Sequence, residues 1–293
     1  DGEMNEPDML RRNRSHGRAS VYTTHDTELF TSEAIVAAEQ RIVAAARQRD
    51  GRTIEGVDVD LALLEQTANG RSLNTGQAAL VRELATSGRR VQVALAPAGT
   101  GKTTAMRVLA SAWKASGGTV VGMAPTAAAA AVLRDELQTP TDTLAKLVSL
   151  ARDEQWLTDQ EQLAATPRWR RLLDKDLNRR ADAAQQGLRE GTIRPATRPD
   201  WYRSIGPDTL LVVDEAGMAG TPDLDVAIAH VLSRGGSVRL VGDDQQLASI
   251  SAGGVLRDVA LQTGAVTLTE VVRFSDPAEG SASLALRDGE RAA

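Results

Sequence analysis

An α/β fold, with a mostly parallel sheet covered by helices on both faces, is what this sequence predicts. Three observations carry that expectation. After Arg90, short continuous apolar runs alternate with helical patterns, as strands buried on both faces require. A Gly-rich turn separates the first of these runs from the helix that follows it. A later run, Leu210-Leu211-Val212-Val213, ends in two adjacent acids.

Taken in order, the first 24 residues are polar, with Arg11, Arg12, Arg14 and Arg18 among Gly, Asn, Ser and His, and read as a solvated linker. From 32 to about 49, Ile35, Val36, Ile42 and Val43 among many alanines fit a helix with one buried face, and a second helix is expected over 76–87. A strand at 91–96, a helix at 103–115, a strand at 119–123 and a helix at 127–137 follow. Further strands are expected at 210–213 and 238–241, with a helix between them, and 265–271 reads as a last strand. Between about 151 and 207 the alternation gives way to a polar stretch in which ten basic residues, from Arg168 to Arg203, outnumber the acids around Trp169 and Trp201. This insertion reads either as a solvated helical hairpin or as a nucleic-acid surface with stacking tryptophans. The expected division is 1–71 as linker and helical extension, 72–274 as the core domain with the insertion, and 275–293 as the start of a further region.

Composition narrows the classes. The chain has 293 residues and no cysteine, which excludes disulfides, thiolate metal sites and cysteine nucleophiles. A net charge of −5 argues against a wholly basic nucleic-acid-coating protein, though not against a local basic groove. No apolar run approaches the ~20 residues of a membrane-spanning helix, and the N-terminal residues have no signal-peptide core, so a cytoplasmic location and no membrane partner are expected. His16, His25 and His230 are scattered, and no metal triad is expected of them. A start at Asp1 suggests a piece of a longer protein.

The chemistry lies in Ala96-Pro97-Ala98-Gly99-Thr100-Gly101-Lys102-Thr103-Thr104, a turn from strand to helix with the pattern of a phosphate-binding loop. Backbone N–H groups and a helix N-terminus surround phosphates in such a loop, and Gly99 and Gly101 let it turn tightly. Lys102 can reach the β and γ phosphates of ATP or GTP, and the Thr103 hydroxyl can hold Mg²⁺. The usual first glycine of the pattern is Ala96 here. That is harmless if Ala96 still belongs to the strand and strained if its φ is positive. Asp214-Glu215, at the end of a buried strand, pairs with this loop: Asp214 for the Mg²⁺ shell, Glu215 as general base toward water. Gln245, in the turn Gly242-Asp243-Asp244-Gln245-Gln246, can contact a γ phosphate, or the turn is ordinary loop chemistry.

The order of these motifs resembles that of superfamily 1 DNA helicases of the RecD-like branch. Gln77, in Leu73-Asn74-Thr75-Gly76-Gln77, matches the family's adenine-contacting glutamine, and Ala124-Pro125-Thr126-Ala127 is similar to its motif that touches single-stranded DNA. Glu270-Val271-Val272-Arg273-Phe274 resembles a later motif, with Arg273 as the implied arginine finger. Within the branch, the chain is most similar to the helicase portion of conjugative relaxases of the MobF type. The resemblance implies a RecA-like P-loop NTPase domain that uses ATP and Mg²⁺, acts on single-stranded DNA with the mobilisation machinery, moves 5′ to 3′, and works against a second RecA-like domain. It implies catalytic roles for Lys102, Glu215, Gln245 and Arg273, and nucleotide contacts from Gln77 and from 98–104. Two alternatives stay open: a RecD-like repair helicase domain, and a non-motor module that recruits DNA or partners.

Overall fold

The computed structural model describes residues 12–14, 17–19, 32–97, 99–243 and 255–268. Two short strands near the N-terminus, β1 (Arg12–Arg14) and β2 (Gly17–Ala19), pair antiparallel, in a stretch that reads as linker in the sequence. The rest is built around a six-stranded sheet in the order β5-β4-β6-β7-β3-β8, with every pairing parallel. Its strands are β3 (Val91–Leu95), β4 (Thr119–Ala124), β5 (Thr141–Thr143), β6 (Thr209–Val213), β7 (Ser237–Gly242) and β8 (Val266–Thr267).

Alternate side chains of each strand feed two separate cores. Val93, Met123, Leu211 and Leu240 point to one face, which is covered by α1 (Glu33–Ala46), α6 (Leu144–Ala164), α10 (Thr221–Ser233) and α11 (Val255–Thr263). Ala94, Val120, Leu210 and Val241 point to the other, under α2 (Gly56–Ala68), α3 (Thr75–Thr86), α4 (Lys102–Ala115) and α5 (Ala127–Leu137). This three-layer arrangement is the α/β fold of a RecA-like P-loop domain expected from the sequence. Arg239 of β7 is fully buried in the second core, where its guanidinium donates to the carbonyls of Leu84, Arg89 and Val238, and burial lowers its pKa to about 10.

Some elements escape the periodicity. Helix α2 was not expected because it has no clean apolar stripe: Val59 and Ala62 are buried while Val57, Leu61 and Leu64 face solvent. Strand β5 is short and polar, and its last residue, Thr143, caps α6 by accepting from Lys146 N. The edge strand β8 covers two residues of the 265–271 expectation, and residues after 268 lie outside the described part.

The insertion does not break away at 151. Helix α6 starts in the core through Leu144, Leu147, Val148 and Leu150 and then runs on for three further turns of polar helix. There it meets α7 (Arg168–Arg171) and α8 (Lys175–Glu190), the helical hairpin expected of this stretch, and α9 (Asp200–Arg203) returns the chain to β6. A polar cluster ties it down: the Tyr202 hydroxyl donates to Glu154 at 2.6 Å, and Arg234 of the core binds the same carboxylate at 2.7 Å. Among the described residues no helix is long and apolar enough to cross a membrane.

Candidate nucleotide site

Parallel strands place all their C-terminal ends on one edge of the sheet, where ligands of open α/β sheets bind. The loop after β3, the acids after β6 and the turn after β7 therefore come together. Ala96 still belongs to the strand in its hydrogen bonding: its N–H donates to Gly242 O at 2.8 Å, and it is not among the residues of positive φ. The alanine in place of glycine is harmless. Gly99 (φ 84°) and Gly101 (φ 74°) supply the left-handed positions that turn the chain into α4, where a side chain would be strained. Between them Thr100 is buried, its hydroxyl donating to Pro97 O at 2.8 Å, which holds the loop in shape.

Gln77 ties the start of α3 to the loop. It completes a capping box with Asn74 at the start of α3, its Oε1 accepting from Asn74 N at 3.0 Å. Its Nε2 donates to Thr100 O at 2.8 Å. One N–H of the carboxamide thus ties α3 to the loop and one lone pair caps α3, while a second N–H and a second lone pair stay available.

Lys102 opens α4 and reaches across to the acids of β6. Its Nζ lies 2.5 Å from Glu215 Oε1 and 3.0 Å from Asp214 Oδ1. Burial works against the ammonium, yet Asp214 and Glu215 outweigh it and raise the pKa above the ordinary lysine value. Glu215 has φ 50° and ψ 40°, left-handed backbone that a non-glycine residue adopts at a cost of about 1–3 kcal/mol. Its second oxygen, Oε2, is buried and has no hydrogen-bond partner among the described residues. An acceptor held this way is suited to a donor that arrives with a ligand.

One further acid belongs to this site. Glu136 of α5 stands near enough to Asp214, Lys102 and Thr103 to be influenced by all three, and its carbonyl accepts from Arg107 Nε, one turn along α4, at 2.6 Å. Burial first, and then the Asp214 charge, raise the Glu136 pKa above the usual carboxylate value. Nothing in its surroundings, Arg134-Asp135-Glu136-Leu137, distinguishes it in sequence from a solvated helical acid; only the packing of α5 on α4 brings it to Thr103.

Thr103 and Asp214 together form a hard-oxygen donor set of the kind Mg²⁺ takes when phosphates supply further ligands. Among the described residues there is no cluster of three or more His, Cys, Asp or Glu that could hold a metal ion. Thr104 lies in the first turn of α4, and Thr126 caps α5 by accepting from Ala129 N at 3.2 Å. Ala98, Gln245 and Arg273 lie outside the described residues.

The turn after β6 and the turn after β7 touch through their backbones. A Cβ on Gly217 would lie 3.2 Å from Asp243 O, and one on Gly242 would lie 3.3 Å from Gly217 N.

A parallel sheet carrying a phosphate loop and two acids at one edge defines a P-loop domain, and the chain belongs to the AAA domain family, whose profile matches residues 72–293. It is also similar to the probable conjugal transfer protein TraA of Sinorhizobium fredii (strain NBRC 101917 / NGR234), 25% identical over 260 residues. The conjugal transfer protein TraA of Rhizobium radiobacter is 26% identical over 261 residues. These alignments cover 89% of this chain and 19% of each relative, so the chain spans about a fifth of the length of the proteins it matches. The resemblance to the helicase region of conjugative relaxases, drawn from the motifs alone, agrees with both.

Proposed function

We propose that this domain is the ATP-binding and hydrolysing first motor domain of a 5′ to 3′ DNA helicase, within a relaxase-helicase that acts in plasmid transfer. The observation that carries the reading is the bridge from Lys102 to Asp214 and Glu215, which brings the phosphate loop and the acids of β6 to one point on the sheet edge. The likeness to conjugal transfer proteins supports the DNA-transfer part.

In this reading, the N–H groups of the loop and of the first turn of α4 cradle the phosphates, and Lys102 leaves the carboxylates for the β and γ phosphate oxygens. Thr103 and Asp214 would hold Mg²⁺, which would supply positive charge to the phosphates. Glu215, freed from Lys102, accepts the proton of the attacking water. Gln245 reports on the γ phosphate, and Arg273 supplies positive charge to the transition state, an effect worth roughly 10³–10⁵ in rate where an arginine finger is complete. In such motors a second RecA-like domain completes the cleft.

The test is the affinity of a fluorescent ATP analogue with and without Mg²⁺, together with ATP hydrolysis in the presence and absence of single-stranded DNA. Mg²⁺-dependent binding with DNA-stimulated hydrolysis is expected. Absence of nucleotide binding would overturn the reading, and robust unwinding of a tailed duplex by this chain would overturn the need for a second domain.

A further inference from the structure

The insertion holds a cavity of about 1370 Å³ between the end of α6, α7 and α8. Its floor is built rigidly. Arg171, only 8% exposed, donates to Ala164 O and Thr166 O at the end of α6 and pairs with Asp182 of α8, and Gln185 also donates to Ala164 O. These bonds fix the angle between the helices and leave Arg168, Lys175 and Arg189 of the lining uncommitted.

The walls are basic, and the local acids are already engaged. Over 165–191 there are seven Arg and Lys residues against Asp174, Asp176, Asp182 and Glu190. Asp174 caps α8, Asp176 pairs with Arg179, Asp182 holds Arg171 and Asn178, and Glu190 accepts from Gln186. Arg168, Lys175 and Arg189 line the cavity and have no hydrogen-bond or ion-pair partner for their side-chain charges among the described residues. Three unpaired cations around one groove, in a chain of net charge −5, make a local seat for a polyanion. Beside it, Trp169 is 60% exposed with the Arg170 guanidinium 5.1 Å from its ring centroid. An exposed indole next to phosphate-binding cations is how proteins hold unpaired bases, because stacking needs a base face that duplex pairing hides.

We propose that this groove is a seat for single-stranded nucleic acid, separate from the nucleotide site, with backbone phosphates against Arg168, Lys175 and Arg189 and a base stacked on Trp169. The proposal rests on the DNA-motor reading for the identity of its strand, and on the groove's own charge and ring for its place. An acidic polypeptide would satisfy the cations but not the ring.

The experiment uses the whole chain and fluorescein-labelled oligothymidylate. Four tryptophans fluoresce, so the oligonucleotide should quench part of the emission in the native protein, and Trp169→Phe should remove that quench. Trp169→Ala should weaken binding about tenfold. The combined Arg168→Ala, Lys175→Ala and Arg189→Ala variant should lower the slope of log affinity against log salt by about 2. Unchanged affinity for the fluorescent ATP analogue would confirm that each variant is folded. Quenching that persists in Trp169→Phe, a salt slope unchanged in the triple variant, or equal quenching by polyglutamate would each overturn the seat. Failure of the seat leaves single-strand binding intact and responsive to the ATP analogue. Failure of the motor reading instead leaves quenching that depends on the groove and ignores the analogue.

Discussion

Lys102 and Glu215, separated by 113 residues in the chain, meet at 2.5 Å across the mouth of the sheet. Their contact joins the residue that grips phosphate in a P-loop to the residue placed to take a proton from water, and the two roles separate on substitution. Lys102→Ala should abolish binding of a fluorescent ATP analogue. Glu215→Gln should leave binding near normal and reduce steady-state hydrolysis by about 10²–10⁴-fold. Unchanged turnover in Glu215→Gln would remove Glu215 from the role of base.

Gln77 braces the loop, and its two bonds can be tested apart. Gln77→Glu keeps an oxygen for Asn74 N but loses the donor to Thr100 O. It should hold the thermal stability of α3 while lowering nucleotide affinity. Gln77→Ala loses both bonds and should cost about 1 kcal/mol in unfolding as well. Full affinity in both variants would show that the brace has no effect on the loop.

His230 is buried beside Tyr202 and Arg234, and burial, with the Arg234 charge, lowers its pKa to about 4. The unfolded chain binds a proton at this residue near pH 6.5, so between pH 6.5 and 4 the unfolded state carries more protons than the folded one. Stability from the neutral ring is therefore complete above pH 6.5 and is lost as pH falls toward 4, up to about 3 kcal/mol. Denaturant unfolding of the native protein and of His230→Gln at pH 7 and pH 4.5 checks this. The difference between the two proteins should shrink at the lower pH.

Arg239 is buried with its donors spent on backbone carbonyls. Arg239→Met keeps most of the volume and removes a charge from the core, yet should still cost about 2 kcal/mol because Leu84 O loses its donors. The midpoint of urea unfolding should fall with an unchanged slope.

The sheet was legible because its strands are continuous apolar runs, and the phosphate loop because each of its residue types has a chemical reason. Strand β5 was not, since Thr141-Asp142-Thr143 is a polar edge whose pairing depends on β4. Helix α2 hid for the same kind of reason, with leucines on its solvent side. Glu136 could not be found from sequence, because what distinguishes it is the packing of one helix on another. Gln77 has a structural role that its sequence context did not announce: it caps α3 and holds the Thr100 carbonyl.

At Gly217 and Gly242 an added methyl would press on the backbone of the facing turn, with the Leu256 side chain as the next neighbour of both. Two turns that abut backbone to backbone behave as meshed teeth. The tolerance of this joint to substitution is therefore set by clearance rather than by chemistry.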